Sequence, residues 1–134
     1  MRDCLQAGVR IEAPTSLTAL DTSSKIDSAT VTENYNGIEI SGGKNLVLSW
    51  NDIIDNENKG VYSSHRYPIL GDTVTQKGMN NSIYGNGVYD VYIGTNIPNN
   101  PLKAQMNWWG ESGGPDTGKL YGNILYTPWL TTEP

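Results

Sequence analysis

Phenylalanine is absent from the 134 residues, cysteine and histidine occur once each, and charged residues make up only 17% of the chain. Each shortage excludes something. Without Phe, and with 37% hydrophobic residues, the composition points to a narrow core of aliphatic side chains, the shape of a solenoid interior. Cys4 cannot form an internal disulfide, and no second Cys or group of His residues completes a metal site around it, so it reads as an incidental thiol. The formal charge of −5 and the scatter of the 9 basic residues argue against nucleic acid and anionic membrane, because phosphate binding needs clustered Lys and Arg. No apolar run reaches the ~18 residues of a membrane span. Met1 to Leu5 carries no apolar signal core, so a signal peptide is not expected in this chain. The length allows one domain.

What is present turns often. Gly at 15, Pro at 7 and many Asn, Thr and Ser supply turns, while Val, Ile and Tyr supply strands. A repeat emerges from them. Val31-Thr32-Glu33-Asn34 precedes Gly37-Ile38-Glu39-Ile40, Ile53-Ile54-Asp55-Asn56 precedes Gly60-Val61-Tyr62, and Ile83-Tyr84-Gly85-Asn86 precedes Gly87-Val88-Tyr89-Asp90-Val91-Tyr92. Each unit reads apolar, two residues, Asn, turn, Gly, then an alternating strand. The asparagines lie 22 and then 30 residues apart, which fits coils of about 20–30 residues with one insertion between Ser64 and Asn81. Inside that insertion, Asp72 is expected to stand in for an Asn. Gly and Asn tolerate left-handed corners, and stacked Asn amides at one corner would form a ladder. Alternation at Ile38/Ile40, at Leu46/Leu48 and from Val88 onward gives strands with one face inward. Helical periodicity is not sustained anywhere.

Three segments follow: residues 1–25 with N-terminal strands that form a first coil or a pairing segment, residues 26–106 with the repeats, and residues 107–134. An uncapped first coil would leave free backbone donors and acceptors, so association of copies through the N-terminal end is expected.

The last segment carries the most specific signature. Asn107-Trp108-Trp109-Gly110, Ser112-Gly113-Gly114-Pro115, Gly122-Asn123-Ile124 and Tyr126-Thr127-Pro128-Trp129-Leu130 together resemble the ending of many parallel β-helix repeat proteins of the pectin-lyase-like fold. The resemblance implies an all-β, right-handed parallel β-helix, a solenoid of about four to five coils closed by a Trp-rich C-terminal cap. In such a cap Trp108, Trp109 and Trp129 cover the last coil with apolar area. Neighbouring strand residues face opposite ways, so one of Trp108 and Trp109 is a candidate for sugar stacking, and Trp109 is the residue assigned to it. The resemblance also implies an extracellular or cell-surface location and polysaccharide as partner.

Candidate chemistry is thinner. His65 follows Ser63 and Ser64, but no Gly-x-Ser-x-Gly elbow is present, and sequence neighbours do not make a dyad. β-Helix enzymes that the chain resembles use carboxylates on an exposed sheet face. The outward candidates are Glu39, Asp52, Asp55, Asp72 and Asp90, with Lys59 and Arg66 as bases or substrate clamps. Asp52, Asp55 and His65 are the catalytic candidates. Asn51-Asp52 and Asp55-Asn56-Glu57-Asn58 form the richest oxygen cluster, which makes calcium a candidate although EF-hand spacing is lacking; no other metal or cofactor is expected. Tyr35, Tyr62, Tyr84, Tyr89 and Tyr92 should face outward, and at equivalent positions of successive coils they would align about 4.8 Å apart into a stripe. Tyr62, Tyr89, Tyr92, Arg66 and Trp109 are accordingly the candidate ligand contacts. Three functions remain open: a non-catalytic module contacting polysaccharide, a glycoside hydrolase or polysaccharide lyase (less readily a Ser/His esterase), and a self-assembling rod.

Overall fold

The structure is a computed structural model and describes residues 7–11, 25–41, 46–64, 68–94 and 100–134. Its elements run β1 (Ala7–Ile11), β2 (Lys25–Asp27), β3 (Thr30–Val31), β4 (Asn36–Ile40), β5 (Val47–Ser49), β6 (Asp52–Ile54), β7 (Lys59–Ser63), β8 (Ile69–Asp72), β9 (Lys77–Gly78), β10 (Ser82–Tyr84), β11 (Tyr89–Ile93), β12 (Leu102–Ala104), a 3-10 turn at Thr117–Lys119, β13 (Leu120–Tyr121) and β14 (Ile124–Leu125). Sheet 1 has the order β1-β4-β7-β11-β13, sheet 2 the order β14-β12-β8-β5-β2, and sheet 3 the order β10-β6-β3. All named strand pairs are parallel except β8 with β9. Parallel neighbours require the chain to leave the sheet and return over other structure. Here it visits the other two sheets between successive strands of sheet 1. The architecture is therefore all-β, with parallel strands in stacked sheets as a β-helix requires.

Residues of one kind fall into rows because the sheets are in register. Val9, Ile38, Val61, Val91 and Leu120 align across sheet 1, and Val31, Ile53 and Ile83 across sheet 3. Ile38, Ile53, Val61, Ile83 and Val91 are fully buried and meet Leu48, Leu70 and Leu102 from sheet 2. Each such side chain contributes about 1.5–3 kcal/mol on burial, and among the described residues Trp109 is the one aromatic in the buried core. Val88 departs from the expected alternation: it is 51% exposed, and the inward residues of β11 are Val91 and Ile93.

The corners account for the repeat. Asn34, Asn56 and Asn86 form one amide ladder, in which the Asn56 N–H and Nδ2 donate to Asn86 Oδ1 at 3.0 and 2.9 Å and the Asn34 N–H donates to Asn56 Oδ1 at 3.1 Å. A second ladder, absent from the sequence expectation, joins Asn51, Asn81 and Asn107: Asn51 N–H and Nδ2 donate to Asn81 Oδ1, and Asn81 N–H and Nδ2 to Asn107 Oδ1, all at 2.9–3.0 Å. The left-handed residue at each corner is not the asparagine but the one before it. Glu33, Asp55 and Gly85 precede one ladder and Trp50, Asn80 and Met106 the other, all at positive φ. Such a conformation costs roughly 1–2 kcal/mol for a residue with a Cβ, which the ladder bonds offset. The glycines after the first ladder serve close approach: a Cβ on Gly37 would stand 2.6 Å from the Gly60 carbonyl oxygen and 2.9 Å from Asn56 Nδ2.

The inserted segment is an antiparallel hairpin of β8 and β9. Its turn lengthens one repeat to 30 residues while the preceding repeat is 22. Asp72 is not a ladder member: its carboxylate accepts from the Val74 and Thr75 backbone N–H groups, the Thr75 hydroxyl and Lys103 Nζ, tying the turn together.

Candidate functional site

Sheet 1 turns a polar and aromatic row outward at the positions between its buried ones. Arg10, Glu39, Tyr62, Tyr92 and Tyr121 are successive register partners along β1, β4, β7, β11 and β13. Alternation on each strand causes this, since Val9, Ile38, Val61, Val91 and Leu120 point the other way. Tyr92 and Tyr121 stack at 4.3 Å with an interplanar angle of 9°, whereas Tyr62 meets Tyr92 edge-on at 5.4 Å. Tyr89 flanks the row at 5.2 Å from Tyr92 and 5.8 Å from Tyr121. Lys59 Nζ lies 5.1 and 5.0 Å from the Tyr62 and Tyr92 ring centres, within cation–π range.

Because the rings pack on each other, the row is a ridge of edges and hydroxyls rather than a line of open faces. Burial among its neighbours, followed by the nearby Tyr121, Tyr62 and Tyr89, raises the Tyr92 phenol above its ordinary value. It therefore keeps its proton at neutral pH and can both donate and accept.

At the Tyr62 end the ridge falls into a cleft of about 110 Å³ lined by Arg10, Glu39, Ile40, Ser41, Tyr62 and Ser64. Arg10 Nε and Nη2 donate to Glu39 Oε1 at 3.0 and 2.8 Å, and Asn36 Nδ2 donates to Glu39 Oε2 at 2.7 Å. The pair is only partly buried, with side-chain exposures of 44% for Arg10 and 19% for Glu39. Its worth for stability is therefore about 0–1 kcal/mol. Charge and hydrogen-bonding groups of both signs face the opening.

The other sequence candidates are scattered. Asp52 and Asp55 are exposed on the sheet 3 side, away from the tyrosine row. There they act with Glu133 on Tyr84, whose phenol is raised first by burial and then by these carboxylates. Asp90, expected on the outside, is 4% exposed, and its Oδ1 accepts from Asn86 N–H at 3.3 Å and Nδ2 at 2.9 Å. It completes the first ladder as a carboxylate in place of a fourth asparagine, and burial raises its pKa against the opposing bonds from Asn86. Asp72 is likewise buried in its turn. His65 and Arg66 lie outside the described residues. Ser63 is buried, and Ser64 lines the cleft.

Trp109, the expected sugar platform, is 4% exposed and belongs to the core, so its ring is not offered to a ligand. Tyr35 and Tyr84 stand apart from the row. In the expected calcium cluster, Asn51 and Asn56 turn inward and spend their amides on the ladders, which leaves Asp52, Asp55 and Glu57 exposed without them. Among the described residues no group of three or more His, Cys, Asp or Glu side chains is placed to hold a metal, and no helix is long and apolar enough to cross a membrane.

Two contributors are not among the sequence candidates. Tyr121 sits in the tail, where only a cap is expected, yet its spacing of 29 from Tyr92 continues the 30 between Tyr62 and Tyr92. Arg10 belongs to the N-terminal segment that no repeat covers.

In comparisons with known proteins, no curated protein and no solved structure matches the chain. One family does match: a family of proteins of unknown function, DUF1565, whose model covers residues 1–115. That span takes in every strand described above except β13 and β14, and on it the chain belongs to the DUF1565 family.

Proposed function

We propose that this protein is a non-catalytic, right-handed parallel β-helix module that contacts polysaccharide through the outer face of sheet 1. The observation that carries the reading is the in-register row Glu39–Tyr62–Tyr92–Tyr121, which ends in an open cleft rimmed by both donors and acceptors. Its rings supply apolar area, its hydroxyls can hydrogen-bond, and its repeat follows the strand spacing of about 4.8 Å. That suits an extended chain of amphipathic units. Asp52 and Asp55 lie on the sheet 3 side and Asp72 and Asp90 are buried, so among these carboxylates none joins Glu39 at the row. This supports binding there rather than hydrolysis, which needs two carboxyls facing one bond.

The finer architecture has support of the same kind. Five strands each in sheet 1 and on the main path of sheet 2 fit about four to five coils, and crossovers between parallel strands are right-handed in roughly 98% of cases. Trp129 packs on the core, donates from Nε1 to the Ser112 carbonyl at 3.1 Å and covers Gly114, as a closing cap would. Leu130 N–H donates to the Asn107 carbonyl at 2.9 Å, and Met106 N–H donates to the Pro128 carbonyl at 2.7 Å, so the tail is stitched along the last ladder residue. An exported or surface-bound protein fits this reading.

Affinity electrophoresis through gels containing different polysaccharides tests the proposal. Retardation by at least one glycan is expected, and it should be lost in Tyr62→Ala while Asp52→Asn and Asp55→Asn leave it unchanged. Migration unaffected by every glycan, or retardation that survives Tyr62→Ala, overturns it.

A second reading, association of copies, is favoured by the position of β1, β2 and β3 as end strands of the three sheets among the described residues. Light scattering should then give a mass above the monomer, and a strict monomer at all concentrations refutes it.

A further inference from the structure

The cleft at the end of the tyrosine row has a chemistry of its own. Its polar wall is an ion pair in which a carboxylate and a guanidinium lie side by side, and its remaining lining is Ile40, Ser41, Tyr62 and Ser64. A guanidinium offers five donors and a carboxylate about four acceptor positions. Adjacent hydroxyls on a sugar ring, each both donor and acceptor, complement such a pair at once. A lone carboxylate does not, because it can only accept and would face Glu39 across the opening. Arg10 already gives Glu39 bonds at 3.0 and 2.8 Å, so no unmatched positive charge at this wall would reward an anion. The formal charge of −5 on the whole chain works in the same direction.

We infer that the cleft is a subsite for one neutral sugar unit bearing vicinal hydroxyls, held by the Arg10–Glu39 pair against Tyr62. The remainder of the glycan then runs along the row toward Tyr121. This assignment rests on the polysaccharide-contact reading and narrows it to neutral chains. Asn36, which donates to the second oxygen of Glu39 at 2.7 Å, is a positioning residue that keeps the carboxylate turned to the cleft.

The test is titration calorimetry of the full chain with a neutral β-glucan, a mannan and a polyuronate of matched length. The neutral chains should bind and the polyuronate should bind at least about tenfold more weakly. Hydrogen bonds to charged groups carry roughly the corresponding free energy, so Glu39→Gln should weaken the neutral chains by about tenfold. Arg10→Lys, which keeps the charge but loses the fork, should do so to a smaller degree and serves if Glu39→Gln does not fold. Val74→Ser, on the remote and 85% exposed hairpin turn, is the control. A polyuronate that binds as tightly as the neutral chains, through Tyr62, overturns the subsite assignment and leaves the polysaccharide reading standing. Neutral binding unchanged in both Glu39→Gln and Arg10→Lys overturns it likewise. Binding of none of the three glycans refutes both.

Discussion

Two kinds of row run through this molecule at the strand spacing, and they differ in where their polar atoms go. In the asparagine ladders every amide turns to a neighbour: Asn81 donates to Leu48 and Leu70 carbonyls and to Asn107, and accepts twice from Asn51. In the tyrosine row the rings pack on one another, but Tyr62 and Tyr92 are only half-buried, Tyr121 is exposed, and the row adjoins a cleft. Repetition of a residue type therefore marks stacking in both places. Only the direction of the polar groups separates a row that holds the fold from one that can hold something else.

The contrast can be broken most forcefully at the ladder. Asn81→Ala leaves the Asn51 N–H without its partner and strips a bond from the Leu48 carbonyl in a buried corner. The Leu70 carbonyl keeps Met79 N–H and Asn107 Nδ2, and Asn51 Nδ2 keeps the Ile26 carbonyl. At about 1–3 kcal/mol for each group affected, the loss should be at least ~2 kcal/mol. Against a typical total stability of about 5–15 kcal/mol, urea unfolding should show a clearly lowered midpoint for the variant. On the outer row, Tyr92→Ala removes ring contacts worth about 0.5–1.5 kcal/mol for each pair. Its melting temperature should fall by several degrees while the far-UV spectrum is retained. At the outermost ladder position, Asn34→Ala should cost only about 1 kcal/mol, because its amide reaches one carbonyl at 3.1 Å and Asn56 at a marginal 3.5 Å.

Asp90 sharpens the comparison between the two ladders themselves, since one ends in Asn107 and the other in a carboxylate. A carboxyl whose folded pKa lies above its unfolded value favours the folded state below the unfolded value and loses that contribution as pH rises through the folded one. Burial sets Asp90 in that direction. Asp72 runs the opposite way: burial would raise it, but its bonds to Thr75, Val74 and Lys103 prevail, and its contribution is lost as pH falls. Asp90→Asn keeps the acceptor for Asn86 without the charge. Thermal melts should show the variant more stable than the parent at pH 7, with the difference shrinking toward pH 4. A constant difference across that range contradicts the assignment.

The first ladder was legible because each of Asn34, Asn56 and Asn86 is followed by a glycine and an alternating strand, a composite pattern that little besides a stacked corner produces. The second was not. Its asparagines stand after Trp50, Asn80 and Met106, unlike residues that share only a positive φ, and positive φ at a residue with a Cβ leaves no trace in the letters. Burial misled in a related way. Asp72 and Asp90 look like surface acids until their partners are known, and Trp109 looks like half of an exposed pair until Trp108 is seen to bridge to Ser82 and Trp109 to fill the core. The candidate site was legible in part: Tyr62, Tyr89 and Tyr92 follow from strand position, but the cleft required the register that brings Arg10 beside Glu39, which are 29 residues apart.

The measurement that bears most directly on the outer row is glycan retardation of the parent, Tyr62→Ala and Asn34→Ala in one affinity gel, each with its melting temperature. The two variants should lose comparable stability, with only Tyr62→Ala losing retardation. Equal retardation of all three, or equal loss in both variants, would contradict a binding role for the face of sheet 1.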